Sequence, residues 1–173
     1  GKIKTGDYVQ LNTGEEGFVE DIAWRSTSIK ALANQIIIVP NNKLANAIVR
    51  NYMTPDPENG ILVNLGVAYH SDLDKVETVT VEVATQIMKE VEGGIPDFKP
   101  FIRYNNFNQS SIDFSVIMRG RQFTDQFLIK HEFIRRLMAR YDKEGINIPY
   151  PIRTVYLKTE KESGQVLKEG SDK

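Results

Sequence analysis

Three consecutive residues, His70-Ser71-Asp72, carry the side-chain types of a hydrolytic triad: a base, a nucleophile and an orienting acid. Triad groups come from separated positions and meet in space, so neighbours along one backbone cannot take those roles together. Ser71 is expected instead to cap a helix, with Asp74 three residues on completing a capping box. Asp72 and Asp74 could reach a cation, but no third or fourth oxygen ligand stands at metal-loop spacing. The helix dipole explains acids in a first turn more simply. His131 sits in a charge-crowded helical stretch and reads as a surface residue rather than a base. Neither GxGxxG nor GxxxxGK[ST] occurs, so no glycine loop is set up to cradle phosphate. Asn108-Gln109-Ser110 matches a glycosylation sequon, yet nothing signals secretion and the match is read as chance. Arg119-Gly120-Arg121 and Arg135-Arg136 are small basic clusters, solvated or interfacial. No catalytic residue, cofactor site or metal site is expected, and the chain is not expected to be an enzyme.

The bulk numbers exclude further classes. The chain has 22 basic and 23 acidic residues, a net of −1, where a nucleic-acid surface normally shows a basic stripe. It has no cysteine, hence no disulfide framework, thiolate metal site or cysteine nucleophile. Its 173 residues, 40% of them hydrophobic, suit one ordinary domain or two small ones. No apolar run is long enough for a membrane-spanning helix. Gly1-Lys2-Ile3-Lys4 lacks the apolar core of a signal peptide, and the chain could still be the soluble part of a longer membrane protein.

The elements that must organise these residues fall into two groups. In the first, short strands are expected at about 7–11, 15–22, 25–32, 36–39 and 47–52, with Gly17 at a bulge or bend. Five short strands at this spacing indicate a small β-barrel or strongly bent sheet. Its fourth strand, Ile36-Ile37-Ile38-Val39, runs apolar without a break before Pro40-Asn41-Asn42, expected to be a turn. Alternate strand residues face opposite ways, so both faces must be covered, by this domain or by a neighbouring chain. Leaving one face wet strands about two large side chains at roughly 1.5–3 kcal/mol each.

Thr54-Pro55-Asp56-Pro57-Glu58-Asn59-Gly60 then breaks the pattern, which sets a first domain at 1–54 and a linker at 55–60. Residues 61–151 read as strand 61–69, helix 72–92, strands 101–107 and 111–119, helix 124–144 and a last strand within Ile146-Asn147-Ile148. That order is the ferredoxin-like split βαβ arrangement of an α+β chain. The second helix is expected to bury Phe127, Ile134, Leu137, Met138 and Tyr141, with Gly145 as its C-terminal cap. Residues 152–158 are expected to form one more strand, with Val155 and Leu157 on one face, and 159–173 read as a disordered tail.

Ordered motifs through both halves resemble one family. Gly6-Asp7-Tyr8-Val9, Gly17-Phe18-Val19-Glu20-Asp21-Ile22, Arg25-Ser26-Thr27-Ser28-Ile29, Ile38-Val39-Pro40-Asn41-Asn42 and Asn51 follow the β domain of small-conductance mechanosensitive channels. Val67-Ala68-Tyr69-His70-Ser71-Asp72-Leu73-Asp74-Lys75-Val76 and Gly145-Ile146-Asn147-Ile148-Pro149-Tyr150-Pro151 are similar to the start and end of that family's α/β domain. Lys2-Ile3 departs from the Pro-Phe common there, and the pore helices are missing from the chain. The resemblance implies an Sm-like β domain, a ferredoxin-like domain and seven subunits. Together they would form a hollow vestibule on the cytoplasmic side of an inner-membrane pore that passes ions and small osmolytes after hypo-osmotic shock.

Under that resemblance Ile36, Ile37, Ile38, Val39, Pro40 and Asn41 would lie at a subunit interface. Val155 and Leu157 would join an intersubunit barrel at the base, and Asp56 and Glu58 would face a window and bias ion passage. Two rival functions are open to the same folds: an Sm-like module binding RNA, and a ferredoxin-like domain regulated by a small molecule. The first domain's few aromatics (Tyr8, Phe18, Trp24, Tyr52) and balanced charge count against RNA, and no specific ligand residues are evident for the second.

Overall fold

The computed structural model describes residues 3–149, a mixed α and β chain with two antiparallel sheets. The first sheet contains β1 (Tyr8–Leu11), β2 (Glu16–Ile22), β3 (Ser26–Lys30), β4 (Ile36–Pro40) and β5 (Val49–Asn51). Its order is β4-β3-β2-β1-β5, which leaves β4 and β5 as the two edges. Alternation within the strands aims Val9, Leu11, Val19, Ile29 and Val39 at one small core. The ladder irregularity falls between Val19 and Asp21, not at Gly17 where the sequence suggested it. Gly17 answers a different demand: a Cβ there would stand 2.3 Å from the Lys30 carbonyl oxygen, so only a residue without one lets β2 approach β3.

Pro40 ends β4 as expected, but a short helix, α1 (Asn41–Asn46), follows in place of the turn. Asn41 anchors it to the β2–β3 hairpin. Its amide nitrogen donates to the Ala23 carbonyl at 2.8 Å, its amide oxygen accepts from the Thr27 hydroxyl at 2.9 Å, and its backbone N–H donates to the Arg25 carbonyl at 2.9 Å. At the hairpin tip Trp24 is 85% exposed, with the Arg25 guanidinium 4.7 Å from its ring.

The second sheet runs β6 (Asn59–Val67), β8 (Ile112–Gly120), β7 (Phe101–Phe107) in space, and α2 (Leu73–Glu90) and α3 (Asp125–Glu144) pack together against one face. Asn59 and Gly60, assigned to the linker from sequence, are the first rungs of β6, opposite Gly120 and Arg119. Asp72, not Ser71, caps α2: its carboxylate accepts the Lys75 N–H at 3.1 Å, while the Ser71 N–H closes a turn onto Ala68. Gly145 ends α3 in the left-handed conformation the sequence predicts, at φ +68°.

Two expectations fail here. The strand at 146–148 does not form: the Ala68 N–H reaches the Asn147 carbonyl at 3.1 Å, and Pro149 has no N–H with which to extend a ladder. Ile146 and Ile148 pack on the core from the side instead. On α3 the buried face is Ile129, Phe133, Leu137 and Tyr141, whereas Phe127, Ile134 and Met138 are half exposed. The helix carries apolar residues on two adjoining faces, and the sheet accepts only one of them. Val155 and Leu157, with the rest of the expected terminal strand and tail, lie outside the described residues.

Candidate functional site

The residues with hydrolytic side-chain types do not assemble into a reaction centre. His70, Ser71 and Asp72 line a shallow cleft of about 430 Å³ with Lys75 and Glu144. The cation there is already matched, since Lys75 Nζ donates to the Glu144 carbonyl at 2.8 Å and lies 3.2 Å from its carboxylate. Hydrogen bonds from Lys75 and Arg140 hold the Glu144 carboxyl below its usual pKa. Among the described residues, no group of three or more His, Asp or Glu stands together to hold a metal ion. His131 is a surface residue 3.9 Å from Glu132. Arg135 and Arg136 are engaged too, both pairing with Glu132 and Arg136 also with Glu90. No described helix is long and apolar enough to cross a membrane.

The unusual chemistry lies on β4. Of its apolar run, Ile37 and Val39 turn inward onto the first core, while Ile36 is 49% and Ile38 67% exposed. The domain thus covers one face of the strand and leaves the other bare. Because β4 is also an edge, its outward backbone groups have no ladder partner within the sheet. Exposed isoleucines beside an unpaired edge favour addition of another strand or surface. Pro40 ends the exposed stretch, and Asn41, grouped with it from sequence, spends its side-chain amide within its own chain.

The two linker acids are not equivalent. Glu58 lies 3.4 Å from the Arg119 guanidinium, which offsets its charge. The Asp56 carboxylate accepts the Glu58 N–H at 3.0 Å and makes no ion pair among the described residues. Its charge faces solvent.

An aromatic junction that the sequence did not signal lies between the sheets. Phe123, in the loop before α3, stacks on Tyr8 with centroids 4.6 Å apart and packs at a tilt of 38° against Tyr52 at 4.1 Å. Phe18 closes on Tyr8 edge-on. The Tyr8 hydroxyl is buried with no hydrogen-bond partner among the described residues. Burial first, then the charge of Glu16, pushes its pKa up to about 12. Nothing in a linear pattern pairs residue 8 with residue 123; only the α+β packing does.

Comparison with known proteins agrees with this geometry. Residues 1–54 match the family described as "Mechanosensitive ion channel, beta-domain", and residues 61–148 match "Mechanosensitive ion channel MscS, C-terminal". The chain is 29% identical over 158 residues to a small-conductance mechanosensitive channel of Edwardsiella ictaluri, covering 90% of this chain and 52% of that one. It is 27% identical over 161 residues to the large-conductance channel MscMJLR of Methanocaldococcus jannaschii, covering 90% and 44% respectively. It therefore spans about half the length of these relatives. Among solved structures, the closed state of Helicobacter pylori MscS superimposes with a TM-score of 0.75 at 24% identity, over 91% of this chain and 60% of that chain, a likeness of fold.

Proposed function

This chain belongs to the MscS family of mechanosensitive ion channels, and from that premise we propose that it is a wall segment of the channel's cytoplasmic vestibule. Seven copies would enclose a chamber beneath the pore of the inner membrane. Ions and small osmolytes released on hypo-osmotic shock would pass through windows between the copies. The observation that carries this is the bare apolar face of β4: Ile36 and Ile38 stay exposed at a free sheet edge. A second copy covering them would remove about the free energy of two buried isoleucines from contact with water.

The sheet order supports a ring rather than a two-fold pair. β4 and β5 are different edges at opposite ends of one sheet. Joining β4 of one copy to β5 of the next is a heterologous contact, which closes into a ring when the rotation allows. An Sm-like first domain fits the five-stranded order. A ferredoxin-like second domain fits the β6-β8-β7 order with both helices on one face, residues 146–148 standing where a fourth strand would join β6. In this arrangement Ile36 and Ile38 face the neighbour while Ile37 and Val39 stay in their own core, Asp56 and Glu58 border a window, and Val155 and Leu157 close the base.

Sedimentation velocity of the chain tests the proposal. The expected result is a multiple of the protomer mass that falls when Ile36→Ser and Ile38→Ser are combined, with circular dichroism unchanged. A protomer mass at every concentration, or a mass indifferent to the double substitution, overturns it.

A further inference from the structure

We propose that Phe123 is a latch: its ring holds the first sheet against the second domain, and withdrawing it lets the two domains swing apart.

The ring is carried rigidly from one side. The Arg121 N–H donates to the Gly93 carbonyl at 2.9 Å, and the Gln122 N–H to the Asp125 carboxylate at 3.0 Å. The Gln126 side-chain amide donates to the Phe123 carbonyl at 3.0 Å. Phe123 therefore moves with the N-terminus of α3. On the other side it stacks on Tyr8 of β1, their planes only 25° apart, and meets Tyr52, just past β5, at a tilt of 38°. Stacked pairs of this kind are stabilised beyond the area they bury.

Little else joins the domains among the described residues. No strand or helix of one sheet domain lies along an element of the other. Glu58 and Arg119 pair at 3.4 Å, but both are wet and such pairs contribute little. The Asn59 amide donates to the Tyr52 carbonyl at 3.1 Å from within the connecting segment, where it restrains the chain locally. Phe123 is thus the aromatic ring of the second domain that meets the rings of the first among the described residues.

The latch also lies within reach of the α3 surface. The Tyr8 hydroxyl is buried at this contact beside the Glu16 carboxylate. Phe127 meets Phe123 edge-on, with centroids 6.3 Å apart, and begins the half-exposed stripe of α3 that continues through Ile134 and Met138. A load on that stripe bears directly on the latch.

The chain has no cysteine, so two introduced ones are unique labelling sites. Spin labels at Lys43→Cys and Lys89→Cys, both exposed and one on each domain, report the interdomain distance in labelled chains diluted into unlabelled protein. The expected result is one narrow distance distribution for the parent chain. In Phe123→Ala a longer-distance population should grow roughly tenfold or more. Phe123→Leu, which keeps apolar bulk without a ring, serves as the second variant should alanine prevent folding, and should also populate the longer distance. Tyr8→Phe keeps the ring that Phe123 stacks on, so its longer-distance population should not exceed the parent's. A parental distribution in the folded Phe123 variants, or a larger open population in Tyr8→Phe, overturns the latch.

Discussion

The hydroxyls of Thr80 and Tyr141 meet 2.5 Å apart at the buried seam between α2 and α3. The Thr80 hydroxyl donates onward to the Val76 carbonyl at 2.6 Å, so in this chain Tyr141 is the donor to Thr80. The two ends are therefore not equivalent. Tyr141→Phe leaves Thr80 still bonded to Val76 and should cost about 1 kcal/mol, the net worth of one hydrogen bond. Thr80→Val strands a buried phenol and should cost more, about 1–3 kcal/mol. Urea midpoints of the two variants check the order. Equal losses, or the reverse order, would mean the donor assignment is wrong.

Stability should fall at alkaline pH for an identifiable reason. Burial, the leading cause in each case, raises the pKa of Tyr8 and Tyr104 to about 12 and that of Tyr141 above its ordinary value of 10.0. The folded state holds these phenolic protons more tightly than the unfolded chain does. Their contribution is accordingly complete below pH 10 and lost as pH rises from about 10 towards 12. Denaturation curves across that window should show the decline. Tyr8→Phe should flatten it, and an unchanged slope would count against the buried phenol.

Two glycine substitutions compare crowding added to a positive φ, at Gly17 (+156°), with a positive φ alone, at Gly14. Gly17→Ala drives a Cβ to 2.3 Å from the Lys30 carbonyl oxygen and must push β2 off β3, so a loss of about 2 kcal/mol or more is expected. Gly14 has φ +103° and nothing within 4 Å of where a Cβ would stand. Gly14→Ala should therefore cost only the conformational term, about 1 kcal/mol. Thermal or chemical melts give both numbers, and parity between them would contradict the close approach of β2 to β3.

If the linker acids border a window in the intact channel, Asp56 should carry more of the effect than Glu58. Arg119 already offsets Glu58, whereas Asp56 makes no ion pair among the described residues. Asp56→Asn should shift the cation-to-anion permeability ratio toward anions, and Glu58→Gln less so. Both shifts should shrink as bath salt rises and the Debye length falls below about 10 Å. Reversal potentials in salt gradients measure this; identical responses in the two variants would remove the asymmetry.

Much of the fold could be read from the chain because its local signals agree. Alternation in Ile112-Asp113-Phe114-Ser115-Val116 is a strand pattern, and Ile112, Phe114 and Val116 are buried as it requires. Gly145 marked the end of α3 because few other residues take its backbone angles at no cost. The unbroken Ile36–Val39 run signalled cover on both sides, and the structure supplies cover on one. The misses arise where two local solutions compete. Ser71 and Asp72 can both cap a helix, and which one does depends on where the Ala68 turn delivers the backbone. Asn41-Asn42 suits a turn or a first helical turn equally, and the bonds from Asn41 to Ala23 and Thr27 decide for the helix. On α3, Phe133 and Ile134 are neighbours of similar hydrophobicity, and only the position of the sheet makes one core and the other surface. The Tyr8–Phe123 stack joins positions 115 residues apart, which no window along the chain can connect.

The position of Trp24 has a practical consequence. The chain has one tryptophan, and it stands on a hairpin tip, almost fully in water, far along the backbone from either core helix. Its indole emission is already that of a hydrated ring and has little further to shift when the helices melt. Intrinsic fluorescence is consequently nearly blind to loss of the second domain, whose unfolding must be followed by helical ellipticity. The same ring is a sensitive native reporter for anything that settles over the tip of the β2–β3 hairpin.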